Sequence, residues 1–346
     1  MSLKQSMRVA RVLSISGDGA RTAMAAHVLA DLERRTGQPL HRLFHLIVGE
    51  GAGAVLAMLV SLRSAGGRGL PLDAEAAAIA IEEGLPENRV ETSWWSRAQA
   101  RLFANTTPST LMDTTLTGPE GILAGADLSS AQTDLAIPVF DVANVRPFLF
   151  RSWKAQGLYL ADGEGSGRYE FRGHDMAAAA LRHPGHGAEA ASIRARSRAE
   201  FQLSGGGALA PDPVSLAALQ ARHLYRRAYV IQTVSMVFGG PKTAPDFDWG
   251  QAGQRALSQI TAKGMAEQVL TLRLPANIEP EPAARSTMQA HMRTLVERFF
   301  EQEESNGFSR LVREYSETRA LPHAALRTPQ VVGKPAAMPY AETFAG

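Results

Sequence analysis

The stretch Phe44-His-Leu-Ile-Val-Gly-Glu-Gly-Ala-Gly53 joins a short apolar run to three glycines at alternate positions. An apolar run that stops at glycine is typical of a buried strand entering a tight turn, so we predict a strand over 43–48. The residues that follow, 54–62, are so uniformly apolar that a helix there must be buried. The stretch therefore predicts a strand, a sharp turn at 49–53 and a buried helix.

The same order of strand, turn and helix occurs upstream. Arg11-Val-Leu-Ser-Ile15 is a short apolar run, and Gly17-Asp-Gly19 ends it. Apolar residues at helical spacing then predict a helix over 21–36, which Gly37 and Pro39 terminate. A strand, a glycine turn and a helix that occur twice in succession indicate a parallel sheet, and hence an α/β fold.

The remaining sequence extends this sheet and adds helices around it. The patterns predict a helical insertion over 66–125, strands over 135–141 and 147–152, a hairpin over 158–172 and a helix over 288–300. The Pro- and Ala-rich residues 321–346 have no periodicity, which predicts a loosely packed tail.

The composition bounds the class of protein before any motif is considered. The chain has 346 residues, of which 45% are apolar and 20% charged, as expected of a globular protein. Its 36 Lys and Arg nearly balance its 34 Asp and Glu, so the charge gives no support to nucleic-acid binding. The absence of cysteine excludes disulfides, thiolate metal sites and a cysteine nucleophile.

No stretch of the sequence has the pattern of a membrane anchor or a leader. The amino terminus carries no apolar run of signal-peptide length, and no run approaches the roughly 18 apolar residues of a membrane span. We therefore expect no transmembrane segment and a cytoplasmic location, with peripheral attachment to a membrane left open.

The turn at Gly49-Glu-Gly-Ala-Gly53 has the frame of the G-x-S-x-G nucleophile elbow. In that motif small residues let the chain bend sharply and present the central side chain above the sheet. The central position here is Gly51. The upstream turn lacks the full G-x-G-x-x-G pattern because position 22 is Thr, so a dinucleotide cofactor is not expected.

Around these two turns the sequence resembles the patatin-like phospholipase family. Ser16-Gly-Asp-Gly-Ala-Arg21 is similar to the family's glycine-rich oxyanion loop, D-G-G-G-x-R, and the elbow follows it. Further on, 137–141, 146–150 and 230–240 are similar to family strands, and 206–213 is similar to the family's D-G-G-x-x-x-N-N-P segment. The resemblance therefore covers several segments in the family's order.

The resemblance implies a patatin-like three-layer α/β fold, with a mostly parallel central sheet flanked by helices, a helical insertion and a carboxyl-terminal helical cap. It implies a single domain over 8–320, with the insertion at 66–125 inside it and the tail at 321–346 outside it. Family enzymes hydrolyse the acyl esters of lipids with a serine and an aspartate, so a lipid or fatty-acyl ligand is implied too.

The two residues that carry the family's chemistry are missing at the matching positions. The family's serine stands at the centre of the elbow, which is Gly51 here, and its aspartate heads the D-G-G segment. Counting back from Pro213, that aspartate position is Gly205, or Ser204 if the register slips by one residue. Glycine has no atom that could form an acyl intermediate. The resemblance thus implies a catalytically degenerate member, a pseudoenzyme that acts by binding, scaffolding or regulation.

The oxyanion loop is altered as well. It comprises Ser16, Gly17, Asp18, Gly19 and Arg21, and the resemblance implies a cleft lined by Glu50, Ala52, Gly53, Gly206 and Gly207. Asp18 replaces a glycine at a place where N–H donors meet developing negative charge, and Glu50 adds a second carboxylate. Carboxylates there would repel an oxyanion unless they are protonated or paired, and Arg21 is a candidate partner of Asp18.

Two other functions stay open at this stage. An active lipid acyl hydrolase or esterase would need a displaced nucleophile such as Ser14, Ser16 or Ser204, with a histidine or Asp212 as its partner. A structural subunit of an oligomer would instead have closed its emptied site. The expected partners are accordingly a lipid or fatty-acyl ligand, an active relative or a second copy of the chain. Neither a cofactor nor a metal nor nucleic acid is expected.

Overall fold

The computed structural model describes residues 8–17, 19, 21–63, 69–84, 121–182, 190–205, 213–238, 266–274, 294–297, 299–301 and 307–327. Eight strands lie within these residues. The strands are β1 (Val9–Ile15), β2 (Leu46–Gly49), β3 (Asp134–Asp141), β4 (Arg146–Arg151), β5 (Ala191–Arg194), β6 (Glu200–Gly205), β7 (Val230–Phe238) and β8 (Ala266–Leu274). The helices are α1 (Thr22–Thr36), α2 (Leu40–Leu43), α3 (Ala52–Leu59), α4 (Ala74–Gly84), α5 (Ser152–Ala155), α6 (Gly173–Leu181), α7 (Val214–Leu224), α8 (Phe308–Glu317) and α9 (His323–Leu326).

The strands form one sheet in the order β5-β6-β3-β2-β1-β7-β8, and β4 pairs with β3 off this path. β1 pairs in parallel with β2 and with β7, as do β2 with β3 and β7 with β8. The pairs β3–β4, β3–β6 and β5–β6 are antiparallel. The mostly parallel sheet that the sequence predicts is therefore confirmed.

Helices cover both faces of this sheet. Leu13 and Ile15 of β1 lie in the larger core with residues of α1 and α3, whereas Ala10 and Val12 lie in the smaller core with residues of α7. Successive residues of a strand point to opposite faces, so β1 is buried on both sides, as its apolar run indicates. The result is the layered α/β architecture that the sequence predicts.

The elements around the two glycine turns differ slightly in length from the expected ones. α1 ends where Gly37 adopts a left-handed conformation, with φ 65°, and donates its N–H back to the last turn. α3 starts at Ala52 rather than at residue 54, and every residue in it is buried. The strand expected over 43–48 is shorter, since the leucines at 40 and 43 form a helical turn before β2 begins.

The two strands predicted around Asn144 are confirmed as the antiparallel hairpin of β3 and β4. Asp141 closes the turn between them. Its carboxylate accepts hydrogen bonds from the backbone and the side chain of Asn144 (3.2 and 2.8 Å) and from Arg146 Nε (3.3 Å). These contacts engage both oxygens of Asp141 in the turn.

The hairpin predicted over 158–172 is wrong, since the structure describes all of these residues and forms no strand there. Glu164 accepts hydrogen bonds from a backbone N–H three residues earlier (3.0 Å) and from the hydroxyl of Tyr169 (2.7 Å). These bonds close a compact loop on itself. Within the segment only Arg172 forms a β-bridge, to Asp127. The glycines here thus belong to a loop and not to a strand pair.

Two predicted helical regions are described only in part. Within the insertion predicted over 66–125, α4 packs against α1, and residues 85–120 lie outside the description. The helix predicted over 288–300 is helical at 294–297 and 299–300, the part of it that is described. No helix in the described ranges is long and apolar enough to cross a lipid bilayer.

The tail predicted to be loosely packed from residue 321 is fixed to the sheet as far as Arg327. α9 buries Leu326, and the guanidinium of Arg327 pairs with Asp134 at the start of β3. These contacts hold the segment against the edge of the sheet where β2 and β3 begin. The remainder, 328–346, lies outside the described residues.

Candidate functional site

The turn between β2 and α3 has the shape of a nucleophile elbow. Gly51 stands at its centre with φ 57° and ψ −128°, a conformation that glycine adopts readily and other residues only under strain. The N–H of Glu50 donates to the carbonyl of Ile15 (3.1 Å), and the N–H of Gly53 donates to the carbonyl of Glu50 (2.9 Å). These bonds fix the turn to the end of β1 and let α3 begin at once.

Three glycines make this sharp turn possible by letting backbone touch backbone. A Cβ added to Gly17 would lie 2.3 Å from the nitrogen of Gly53, and one added to Gly53 would lie 2.4 Å from the carbonyl oxygen of Ile15. A Cβ on Gly49 would lie 2.3 Å from the carbonyl oxygen of Gly53. Real Cβ atoms do not approach so closely, so no other residue fits these positions without moving the backbone.

Gly51 differs from these three glycines because the space around it is free. A Cβ built on it would meet no heavy atom within 4 Å among the described residues. Among the described residues there is therefore room for a Cβ at this position, as an elbow needs at its centre. The structure thus has the frame of such a site and, at its centre, no reactive atom.

The loop after β1 approaches the first residues of α3 closely. Its start is held by a hydrogen bond from the N–H of Ser16 to the carbonyl of Met236 on β7 (3.0 Å), and Gly19 turns the chain with φ 54°. The N–H of Ala52, the first residue of α3, has no acceptor within its own helix and lies beside Gly17. A helix amino terminus next to a glycine loop is suited to an anionic group.

Charged residues flank this loop. Glu50 is 9% exposed, so its carboxylate is buried next to the centre of the elbow. Arg21 immediately precedes α1 at the other end of the loop. Asp18, its predicted partner, and the predicted cleft residues Gly206 and Gly207 lie outside the described residues, so these assignments stay predictions. The described ranges contain no group of three or more His, Asp or Glu side chains that could hold a metal ion.

The strand order brings the second predicted dyad position to the same edge of the sheet. Ala136 of β3 pairs with Val48 of β2 and with β4, whereas Val139 pairs with Gly205 of β6 and with β4. Since β4 occupies one side of β3 at both places, β2 and β6 lie end to end on its other side. Their pairing positions are three residues apart along β3, or about 10 Å. Gly205 therefore lies near the carboxyl end of β2, where the elbow begins.

Gly205 itself has no room for a side chain. A Cβ there would lie 2.5 Å from the carbonyl oxygen of Ala180 and 2.6 Å from that of Arg182, at the end of α6. An aspartate at this position would force the backbone of α6 or β6 to move. The sequence gives no sign that Ala180 and Arg182 approach Gly205, because this contact joins two elements that are distant in the chain and leaves no local pattern.

The serines that an active hydrolase could use are all buried. Ser14 is fully buried in β1, and its hydroxyl has no hydrogen-bond partner among the described residues. Ser204 is 2% exposed, and its hydroxyl donates to the carbonyl of Arg182 (3.0 Å). Ser16 is buried at the start of the glycine loop. Asp212, a carboxylate predicted to accompany them, lies outside the described residues.

A comparison with known proteins finds a partial similarity. Patatin-like protein 4 of Arabidopsis thaliana is 25% identical to the chain over 151 residues. The match covers 42% of this chain and 37% of that relative. No protein-family model matches the chain. The similarity gives partial support to a relation with patatin-like proteins, and the observed α/β architecture is consistent with a patatin-like three-layer fold.

Proposed function

We propose that the chain is a patatin-like protein that has lost hydrolytic chemistry and acts by binding at the glycine elbow. The ligand class that fits best is a lipid or fatty-acyl group, which is the substrate class of the family that the sequence resembles. In this proposal the protein works as a scaffold or regulator, alone or beside an active relative.

One observation carries the proposal: the residue at the centre of the elbow is a glycine. Acyl transfer through a covalent intermediate needs a side-chain nucleophile at this point. Gly51 offers none, and the chain has no cysteine to act from elsewhere. A misplacement of about 1 Å costs about 100-fold in rate, so a serine further along the chain is a poor replacement.

The frame around the missing nucleophile supports binding as the remaining role. Gly17, Gly49 and Gly53 make the close backbone contacts that hold a sharp elbow, and the space over Gly51 is free of described atoms. A group that enters this space comes near the N–H of Ala52 at the start of α3. An acyl carbonyl or carboxylate would accept hydrogen bonds from such a helix amino terminus.

The same observations favour this role over the two alternatives. An active hydrolase needs an accessible hydroxyl beside a base, whereas Ser14 and Ser204 are buried. A structural site that has closed needs a filled elbow, whereas a Cβ on Gly51 would meet no described atom within 4 Å.

Hydrolysis of short-chain p-nitrophenyl esters by the purified protein tests the loss of chemistry. We expect the wild type to add nothing to the rate measured in buffer near neutral pH, because no nucleophile stands at the elbow. The variants Ser14→Ala, Ser16→Ala and Ser204→Ala are the controls. Turnover by the wild type that one of them abolishes would establish a displaced-serine hydrolase instead.

Saturable binding of a fluorescent fatty acid tests the retained site. Gly51→Leu fills the free space over the elbow, and we expect it to abolish binding. Gly165→Leu is the matched control, since this exposed loop glycine also has no atom within 4 Å of an added Cβ. Circular dichroism checks that both variants are folded. Equal binding by the two variants would place the ligand elsewhere on the molecule.

A further inference from the structure

Basic side chains lie near the end of β4, at the edge of the sheet where β3 begins. Arg151 ends β4, Lys154 lies in α5, Arg168 ends a 3-10 turn, and His223 lies near the end of α7. We call these four residues the basic cluster. Arg151 and Lys154 lie three residues apart, whereas Arg168 and His223 come from later segments of the chain, so no sequence motif indicates the four together.

Lys154 is the best-defined member of the basic cluster. Its ammonium group donates to the hydroxyl of Tyr169 (3.1 Å), lies 4.4 Å from the centre of that ring and lies 3.6 Å from Glu164 Oε2. The hydroxyl of Tyr169 in turn donates to Glu164 Oε1 (2.7 Å). The side chain of Lys154 is 14% exposed and that of Glu164 is 25% exposed, so this ion pair is largely shielded from water.

Other members of the basic cluster have polar atoms without partners. Arg151 Nε and His223 Nδ1 are buried and have no hydrogen-bond partner among the described residues. The ring of His223 packs against that of Tyr159, with their centres 5.5 Å apart. Buried polar atoms of native proteins are normally satisfied, and where the protein supplies no partner a water molecule or a ligand does. These two atoms are therefore available to donate hydrogen bonds to a bound polar group.

The positive charges of this region act on one another. Burial first, and then the charges of Arg226, Arg151 and Lys154, lower the pKa of His223 to about 4. Burial and the charge of Arg151 also lower the pKa of Lys154. Among the described residues, Glu164 is the carboxylate that faces Arg151 and Lys154, and one carboxylate cannot balance both. An anion bound there would offset this repulsion.

We propose that the basic cluster binds a phosphate group, held by the guanidinium of Arg151, the ammonium of Lys154 and the ring of His223. A phosphate monoester carries a charge of about −1.5 to −2 near neutral pH and has three strong acceptor oxygens. It therefore suits several donors that come from different elements. A carboxylate carries a single charge and fits one arginine fork better. The phosphate belongs either to a lipid headgroup or to a soluble ligand.

Calorimetric titration with inorganic phosphate, at an ionic strength held constant with chloride, tests this site. We expect saturable binding by the wild type and binding weakened about 10-fold or more in Lys154→Gln, which removes a charge-assisted hydrogen bond. Lys154→Arg retains the charge and should retain most of the affinity. Arg194→Gln is the matched control, because it removes a guanidinium that is 66% exposed and lies on another hairpin.

A titration of the wild type by nuclear magnetic resonance makes the test independent of how the variants fold. Phosphate should raise the pKa of His223 above its value of about 4, and His223→Gln assigns the resonance. Vesicles of phosphatidylcholine, with and without phosphatidic acid, separate the two sources. Cosedimentation with phosphatidic acid, lost in Lys154→Gln, indicates a lipid headgroup, whereas binding of free phosphate alone indicates a soluble ligand.

Three results would overturn the proposal. The first is a wild type that binds neither inorganic phosphate nor phosphatidic-acid vesicles. The second is equal binding by the wild type and Lys154→Gln. The third is a His223 titration that neither phosphate nor phosphatidic acid changes. None of these results bears on the elbow, so the two proposals stand or fall separately.

Discussion

At the residue scale, the elbow contains four glycines of two kinds: three belong to a closely packed frame, and one stands at its centre. Gly17, Gly49 and Gly53 are required by contact, because a Cβ on any of them would run into backbone atoms. Gly51 is required by no contact, and only its positive φ favours glycine. What this elbow lacks is thus a side chain at its centre, while the backbone contacts that shape it are in place.

The frame can be tested with Gly53→Ala. The added Cβ would lie 2.4 Å from the carbonyl oxygen of Ile15, so we expect the free energy of unfolding to fall by about 2–4 kcal/mol. Gly165→Ala is the control, since its added Cβ meets nothing within 4 Å, and it should change stability by less than about 0.5 kcal/mol. Urea unfolding measures both. Equal stability of the two variants would contradict the close packing described for the elbow.

His45 gives a pH dependence at the opposite edge of the sheet. Its Nδ1 accepts the N–H of Arg11 (2.9 Å), and its Nε2 donates to the carbonyl of Leu321 (2.8 Å), so the neutral ring is fully satisfied. Burial first, and then the neighbouring His323, lower the pKa of His45 to about 4, with Arg11 lowering it and Asp134 raising it by smaller amounts. Protonation of Nδ1 would break the bond to Arg11.

The sign of the effect on stability follows from this depressed pKa. The unfolded chain has a histidine pKa near 6.5 and binds a proton between about pH 6.5 and 4, where folded His45 does not. The free energy of unfolding should therefore fall by about 3 kcal/mol as the pH drops through this window, and His45 should add no slope above it. Urea unfolding of His45→Gln should show a correspondingly flatter profile. The same profile in both proteins would refute this account of His45.

At the scale of elements, α9 joins the carboxyl-terminal segment to the sheet through one buried carboxylate. Asp134 at the start of β3 is 3% exposed, and it accepts hydrogen bonds from the hydroxyl of Tyr225 and the guanidinium of Arg327. His323 of α9 also lies 2.9 Å from the carbonyl oxygen of His45. The short helix is therefore held by polar contacts at both of its ends, beyond the burial of its leucine.

Arg327→Gln tests the role of this ion pair. Removing the guanidinium leaves the carboxylate of Asp134 buried without its cation, so we expect a loss of about 3 kcal/mol in the free energy of unfolding. Arg319→Gln is the matched control, because Arg319 is exposed and should contribute less than about 0.5 kcal/mol. Chemical denaturation compares the two. Similar stability of both variants would mean that α9 does not depend on Asp134.

The elements that the sequence predicts correctly are those whose signal is local. β1, α1 and the β3–β4 hairpin follow from apolar runs and from Gly37 or Asn144 at the expected ends. The predicted hairpin over 158–172 fails because the side chain of Glu164 bonds to its own loop. The obstruction at Gly205 and the basic cluster depend on contacts between distant segments. No periodicity or glycine pattern carries that information.

At the scale of the whole molecule, the edge of the sheet where the parallel strands begin differs from the edge where they end. The edge where β2 and β3 begin is closed by α9 and its buried polar contacts, which belong to stability. The edge where β1 and β2 end carries the glycine loop, the open elbow and Gly205. In parallel α/β sheets this carboxyl edge is where ligands bind, and the proposed acyl site lies there, apart from the basic cluster at the end of β4.

Intact-mass analysis after treatment with a fluorophosphonate tests the central claim most directly, because the reagent marks any activated serine. The comparison includes Gly51→Ser, which puts a hydroxyl into the free space of the elbow, and Ala52→Ser, which puts one a position further on. Gly205→Asp is left out since its side chain has no room. We expect no adduct on the wild type, because no nucleophile stands at the elbow, and none on Ala52→Ser, whereas an adduct on Gly51→Ser would show that the elbow can still activate a hydroxyl. A stoichiometric adduct on the wild type would contradict the account and identify a working nucleophile.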